Sequence, residues 1–281
     1  VPRTRLTVVA LLVAPPAFAS WPNDLSISGM ARHDGALITD PVTDDYVQLV
    51  RELGAGLSSW SQLPASTTGV EGFDVALGSS FWLIDAYSED GPTPWQRAHP
   101  DETPPSYQWV PSLVARKGLP LSTEVGAGVS WFAGSSSGAV HAFARASLLE
   151  GDAPLPELAV QIGYTALVGN DELELGVFEA GATIGANAPL QRYEDVTQSE
   201  LSPYLGVTFL RTRAAPVLDA DVAERVGAVA IGGPDAPERA LSGIRVAGGV
   251  QIESGPALAR LGASWTTGTP VILSIATGVG F

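Results

Sequence analysis

The sequence predicts an all-β chain: a transmembrane, antiparallel, up-and-down β-barrel of about ten strands preceded by a short N-terminal helix. Three observations predict it. The composition is 45% hydrophobic and only 16% charged, with 31 Gly and 22 Pro, which is too apolar for disorder and too rich in helix breakers for a helical protein. From about residue 70 onward, short segments alternate apolar and polar residues with turn residues between them, the period-two signature of strands. Finally, both ends of the chain carry patterns that suit export and membrane insertion.

The chain has 30 acidic and 15 basic residues, a formal net charge of −15. Such a surface repels phosphate backbones, so nucleic acid is excluded as a partner. With no Cys, disulfide frameworks, thiolate metal sites, iron–sulfur clusters and cysteine nucleophiles are excluded too.

Residues 1–19 contain Arg3 and Arg5, the apolar run Leu6 to Val13, and Ala17-Phe18-Ala19 before Ser20, which reads as a signal peptide for export. The run is short and broken by Pro15-Pro16, whereas a helical anchor needs about 20 apolar residues. At the other end, Val271, Leu273, Ile275, Thr277, Val279 and Phe281 share one face, and Ser274, Ala276, Gly278 and Gly280 the other. This resembles the C-terminal strand by which bacterial outer-membrane barrels are recognised. The resemblance implies that Val271, Leu273, Ile275, Val279 and Phe281 form a signal read by the barrel-assembly machinery. An ordinary closing strand of a secreted sandwich is the alternative.

Strands are expected at about 71–84, 107–117, 121–133, 138–149, 157–168, 172–185, 201–213, 240–253, 257–267 and 270–281. Each has roughly the 9–11 residues that a tilted strand needs to cross a bilayer. Phe73, Val75 and Leu77 oppose Asp74, Ala76 and Gly78; Leu205, Val207 and Phe209 oppose Tyr204 and Thr208; Ile244, Val246, Val250 and Ile252 oppose Arg245, Gln251 and Glu253. The greasy face would sit inside a soluble sandwich but meet lipid in a barrel, so alternation alone does not choose between them.

Loop lengths favour the barrel. Starting upward at 71, the outward connections include the two longest, 85–106 and 214–239, and the inward ones include Gly118-Leu119-Pro120 and Glu253-Ser254-Gly255-Pro256, as long outer loops and short periplasmic turns require. The stretch 186–199 is an exception on the short-turn side. Segments 54–62 and 222–232 also look strand-like, so twelve strands is the competing count.

The chain divides into the signal peptide 1–19, an N-terminal periplasmic or plug segment 20–66, and the barrel 67–281. In the middle segment, Asp40-Pro41 marks a helix start. Tyr46, Val47, Leu49, Val50 and Leu53 then recur at three- and four-residue spacing before Gly54. This helix would cover the periplasmic opening or pack on 54–66, or else plug the lumen.

Leu49-Val50-Arg51-Glu52-Leu53-Gly54-Ala55-Gly56-Leu57-Ser58 and Gly69-Val70-Glu71-Gly72-Phe73-Asp74 resemble the opening of a group of uncharacterised proteobacterial outer-membrane β-barrel, porin-like proteins. Further matching fragments are Val110-Pro111, Lys117-Gly118-Leu119-Pro120, Ala146-Ser147-Leu148-Leu149-Glu150-Gly151, Leu173-Glu174-Leu175 and Pro203-Tyr204-Leu205-Gly206-Val207. The resemblance covers about 45–210 and the last strand. It implies a porin-like envelope architecture and transfers no catalytic residue. Where the group places basic residues before Lys117, this chain has Ser112 and Val114.

Alternation assigns Asp74, Arg116, Glu124, Arg145, Glu174, Arg245, Glu253 and Arg260 to the lumen. There they would either line a selective path for small solutes or form a salt-bridged, occluded interior. A barrel this small lies nearer the filled end of the range. His141 falls on the same face as Arg145, but no serine is specified opposite it, so a lipid-modifying enzyme is the least favoured reading. His33 and His99 have no metal-ligand spacing. The acidic loops, with Asp85, Glu89, Asp90, Asp101 and Glu102 in the first and Asp219, Asp221, Glu224, Asp235 and Glu238 in the second, suit loose cation association at most. Trp60, Trp82, Trp95, Trp109, Trp131 and Trp265 suggest interfacial girdles.

The expectation is therefore an outer-membrane barrel of structural or narrow-channel role, without enzymatic activity or cofactor. Its partners would be outer-membrane lipid and lipopolysaccharide, the assembly machinery and small solutes. A passive porin or hydrophobic-solute transporter is the alternative.

Overall fold

The computed structural model describes residues 23–33, 36–37, 40–58, 63–89, 91–100, 102–150, 156–193, 196–233 and 240–281. The expected signal peptide (residues 1–19), Trp60, Asp90, Asp101, Asp235 and Glu238 lie outside the described residues.

Ten strands form a closed antiparallel barrel: β1 (Phe73–Leu83), β2 (Tyr107–Leu119), β3 (Thr123–Trp131), β4 (Gly138–Leu149), β5 (Glu157–Val168), β6 (Leu173–Gly185), β7 (Val196–Pro216), β8 (Leu241–Ser254), β9 (Ala257–Thr266) and β10 (Ile272–Gly280). Each pairs with the next in the chain. β10 closes the ring on β1 from Ile272 opposite Trp82 to Gly280 opposite Asp74. The seam is extended by Phe73 and Phe281, which exchange backbone hydrogen bonds of 2.9 and 2.8 Å. Closure removes the unpaired edges that an open sheet would leave.

The competing twelve-strand count fails at both extra segments. Residues 54–57 end the helix α1 (Thr43–Leu57), and Ala220–Val226 form a second helix, here α3. The exceptional stretch 186–199 is not a loop. Ala188–Tyr193 folds back on the start of β7 as a hairpin that runs past the barrel rim. The connections β1–β2 and β7–β8 remain the longest, and each carries a short helix: α2 (Pro94–Arg97) in the first and α3 in the second. We call that side the long-loop end. The other holds the β2–β3 turn, where Leu121 and Ser122 both adopt positive φ, together with Phe73 and Phe281.

Outward-pointing residues form an apolar belt around the barrel. Leu77 is 60% exposed and Ile275 54%, with Leu113, Val129, Ile162, Phe178, Val207, Ile244 and Leu261 around the same circumference. Trp109, Trp131 and Trp265 are exposed towards the long-loop end, but Trp82 and Trp95 are buried, correcting their assignment to a girdle.

Candidate functional site in the barrel lumen

The part of the lumen nearer the long loops is filled by the N-terminal segment, which enters from that end. Asn23 donates from Nδ2 to the Ala133 carbonyl at 2.8 Å. The Asp24 carboxylate accepts from the Ser136 amide at 2.7 Å and from the Ser135 hydroxyl at 2.8 Å, both in the β3–β4 connection. Glu172, between β5 and β6, accepts from the Ser28 amide at 2.9 Å and its hydroxyl at 2.5 Å. After a one-turn helix at Ser28–Ala31, the Val42 amide donates to the Val226 carbonyl of α3 at 3.0 Å. Of the two expected placements, cover or plug, α1 takes the second: the segment begins at the end carrying the long loops, and α1 lies inside the barrel.

The sequence builds that helix to be buried on nearly every side. Tyr46, Leu49, Val50, Leu53 and Leu57 are all 1% exposed or less. They pack with Trp82, Val110, Leu175, Val177, Leu210 and Ile272 from the wall, Ile27 and Met30 from the N-terminal strap, and Trp95 from α2. Asp44 and Asp45 in the first turn suit the positive end of the helix dipole. Gly54 does not stop the helix; it and Gly56 let the backbone touch the wall. A β-carbon at Gly56 would lie 2.4 Å from Trp82 Cη2, and one at Gly54 2.6 Å from Thr212 Oγ1.

Glu52 is the polar exception on this helix. It accepts from Trp95 Nε1 at 2.7 Å and Gln48 Nε2 at 2.7 Å, fastening α2 as a lid. A capping box between Thr93 and Gln96 starts that lid helix. His99, just beyond it, stacks near Trp95, and its Nδ1 lies 2.8 Å from the Trp95 carbonyl. Burial depresses its pKa below the ordinary imidazole value, opposed by that backbone hydrogen bond and by Glu102.

Where α1 ends, the wall supplies a cation. Arg245 donates to the carbonyls of Ser58 at 2.6 Å and Ala55 at 2.7 Å, and to the Ser58 hydroxyl. These are the carbonyls at the negative pole of the helix, the placement that the dipole favours. Glu179 on β6 faces the same guanidinium at 3.8 Å.

Below α1 the chain descends through a second polar layer. Asp74, Arg116, Glu124 and Arg145 form an alternating relay across β1 to β4. Arg116 grips Asp74 with two hydrogen bonds, one of 3.0 Å from Nε, and lies 3.5 Å from Glu124. Arg145 donates to Glu124 at 2.8 Å and also to the Pro64 carbonyl of the threaded segment. The free oxygen of Glu124 accepts from the Thr68 amide at 3.2 Å. Arg260 instead donates twice to Gln251 Oε1, at 2.8 and 2.6 Å, while Gln251 donates to Glu253. Paired and hydrogen-bonded in this way, buried charges hold a specific geometry, whereas an unpartnered one would be costly.

Glu174 does not belong to this set. It is exposed on the face it shares with Phe178, while Leu173, Leu175, Val177 and Glu179 point inward. The reason is that the inner wall is itself apolar near the long-loop end, because it packs on α1. Glu179 is the inward carboxylate of that strand. It was missed because period-two alternation shows two faces without telling which one is inside.

Beneath the relay, a polar cavity of about 340 Å³ opens at the short-turn end, lined by Ser66, Thr67, Asp74, Arg116, Asn187, Glu200, Gln251 and Glu253. His141 sits in the wall with Nε2 2.9 Å from Ser130 Oγ and Nδ1 3.1 Å from Thr165 Oγ1. A serine does therefore face it, brought diagonally across the β3–β4 ladder. All three residues are buried. Among the described residues, no group of three or more acidic or imidazole side chains is placed to hold a metal ion.

No protein family and no curated protein matches the chain in sequence. Among solved structures, it is similar to the translocator domain of autotransporter NalP from Neisseria meningitidis at 13% identity, covering 85% of this chain and 97% of that one, with a TM-score of 0.37. It is similar to LpxR from Salmonella typhimurium at 9% identity, covering 62% and 72%, with a TM-score of 0.34. The attachment invasion locus protein Ail of Yersinia pestis is similar at 10% identity, covering 75% and 99%, with a TM-score of 0.27. The fold assignment rests on the closed ladder of this chain itself.

Proposed function

We propose that this chain is an integral outer-membrane β-barrel whose lumen is occluded by its own N-terminal segment, with a structural role in the envelope and no catalytic activity. The observation that carries the reading is the apolar belt around the outside of a closed barrel whose inside is blocked by α1 and its apolar packing on the wall near the long-loop end. Soluble monomers rarely expose apolar patches beyond a few hundred Å², and lipid is the solvent that makes a continuous belt favourable. In this reading the long loops face outward, towards lipopolysaccharide. The apolar residues ending at Phe281 serve as the assembly signal, and export depends on residues 1–19. The buried Ser130–His141 pair serves packing, because no substrate carbonyl reaches it while the lumen is filled.

Membrane fractionation with heat-modifiable migration on a gel, followed by planar-bilayer recording, tests the proposal. Detergent-dependent solubility, a heat-shifted band and silent bilayers are expected. A folded monomer in plain buffer would refute the membrane reading, and steady single-channel steps would refute the occluded one. A second reading, a narrow path for small solutes opened by movement of α1, is favoured by the polar cavity at the short-turn end. It predicts that deleting 40–58 produces conductance that the intact chain lacks.

A further inference from the structure

The N-terminal segment and β1 begin at opposite ends of the barrel. Asn23 and Asp24 are hydrogen-bonded to the β3–β4 connection, and Ser26 and Ser28 to Ala98 and Glu172, all at the long-loop end. Pro41 and Thr43 lie against Gly227 at the end of α3. From there α1 descends; its 15 residues span about 22 Å at the usual helical rise. Further along, Pro64 meets Arg145 and Thr68 meets Glu124. Gly118 at the foot of β2 donates to the Gly72 carbonyl at 3.0 Å, and β1 starts at Phe73 on the short-turn side.

We propose that the barrel carries its own N-terminal segment across the membrane, so that Asn23–Ala31 and the exposed Asp40 belong to the cell-surface face while Val70, only thirty residues further along, lies on the periplasmic face. The segment is thus both the lumen filling and a tether displayed outside. The strap is a built part of that outer surface, because the carboxylates of Asp24 and Glu172 tie it to two separate hairpin loops. A chain exported to the periplasm reaches this arrangement only if the segment passes through the barrel, or if the barrel closes around it during insertion. The inference rests on the outward orientation of the long loops proposed above.

The chain has no Cys, so single cysteines report position without background. Full-length D40C, V70C, S136C and L121C, each at an exposed position, are treated on intact cells with a membrane-impermeant maleimide and again after lysis. D40C is expected to label as fully as S136C at the long-loop end, with complete loss of labelling at V70C and L121C until the cells are lysed. If D40C is instead protected together with L121C while S136C labels, the threading proposal is overturned. If S136C and D40C are both protected while L121C and V70C label, threading stands and the orientation assigned under the proposed function is wrong. Labelling of all four on intact cells overturns the proposal, since the segment then does not separate two compartments.

Discussion

Replacing Arg245 by Met tests whether α1 is held in the lumen by the wall. The change preserves much of the side chain's length but removes hydrogen bonds to the Ala55 and Ser58 carbonyls and to the Ser58 hydroxyl, and it removes the cation 3.8 Å from Glu179. Hydrogen bonds from a charged donor contribute about 1.5–3 kcal/mol each when taken singly. They are not additive around one guanidinium, and breaking a buried ion pair costs about 3–5 kcal/mol as a whole. Arg245 and Glu179 are 1% and 0% exposed, so solvent screening does not reduce that figure. With about 2–4 °C per kcal/mol for a chain of this size, the heat-modifiability midpoint is expected to fall by roughly 10 °C. Arg245→Lys keeps the charge without the fork and is expected to fall between. The double variant R245M/E179Q should recover part of the loss, because coupled neighbours are not additive. An R245M midpoint within error of the parent chain would refute the idea that this contact anchors the helix. A loss in the double variant equal to the sum of the two single losses would instead show that Arg245 and Glu179 are not coupled.

Three further outcomes are expected. Gly56→Val drives a side chain into the Trp82 ring and is expected to lower the same midpoint by about 1–3 kcal/mol equivalent, whereas Gly255→Ala, with nothing within 4 Å but φ +56, should cost about 1–2 kcal/mol through the left-handed backbone alone. On the outer belt, Leu113→Arg is expected to reduce folding into vesicles by about 2–4 kcal/mol if lipid covers that face, read as the folded fraction in a urea titration; no effect would argue against lipid there. His99 has a folded-state pKa below its unfolded value, so the unfolded loop binds more protons and the folded lid loses stability as pH falls below about 6.5. Protection factors across 92–100, corrected for the intrinsic pH dependence of amide exchange, should fall from pH 7 to pH 5, and His99→Gln should flatten that response.

Most of the barrel was legible because period-two alternation and turn residues are local signals. The ten strands fall close to their expected positions, and the even count follows from loops alternating between ends. What alternation lacks is an absolute reference. At Glu174 the expectation that polar residues face inward chose the wrong side, because Leu173, Leu175 and Val177 answer to α1 rather than to lipid. The same long-range packing buries Trp82 and Trp95. It also explains why the spacing of Tyr46, Leu49, Val50 and Leu53 announced a helix but not its location. The Ala188–Tyr193 hairpin escaped notice because it carries no alternating apolar face. Ser130 and His141 are eleven residues apart in sequence, and only the register of the β3–β4 ladder brings them diagonally together.

Because α1 fills only the part of the lumen nearer the long loops, each strand passes through two environments along its own length. Towards one end its inner face packs on the apolar side chains of α1; towards the other it borders the polar chamber. Isotope uptake should therefore be graded along every strand rather than differing from strand to strand, slowest beside Trp82, Val110 and Leu210 and quickest near Gln251 and Ser202. The wall is in this sense a composite, braced where it packs on the helix and unbraced where it meets the chamber. In the membrane setting proposed above, deformation imposed by a bilayer is expected at the end that α1 does not brace.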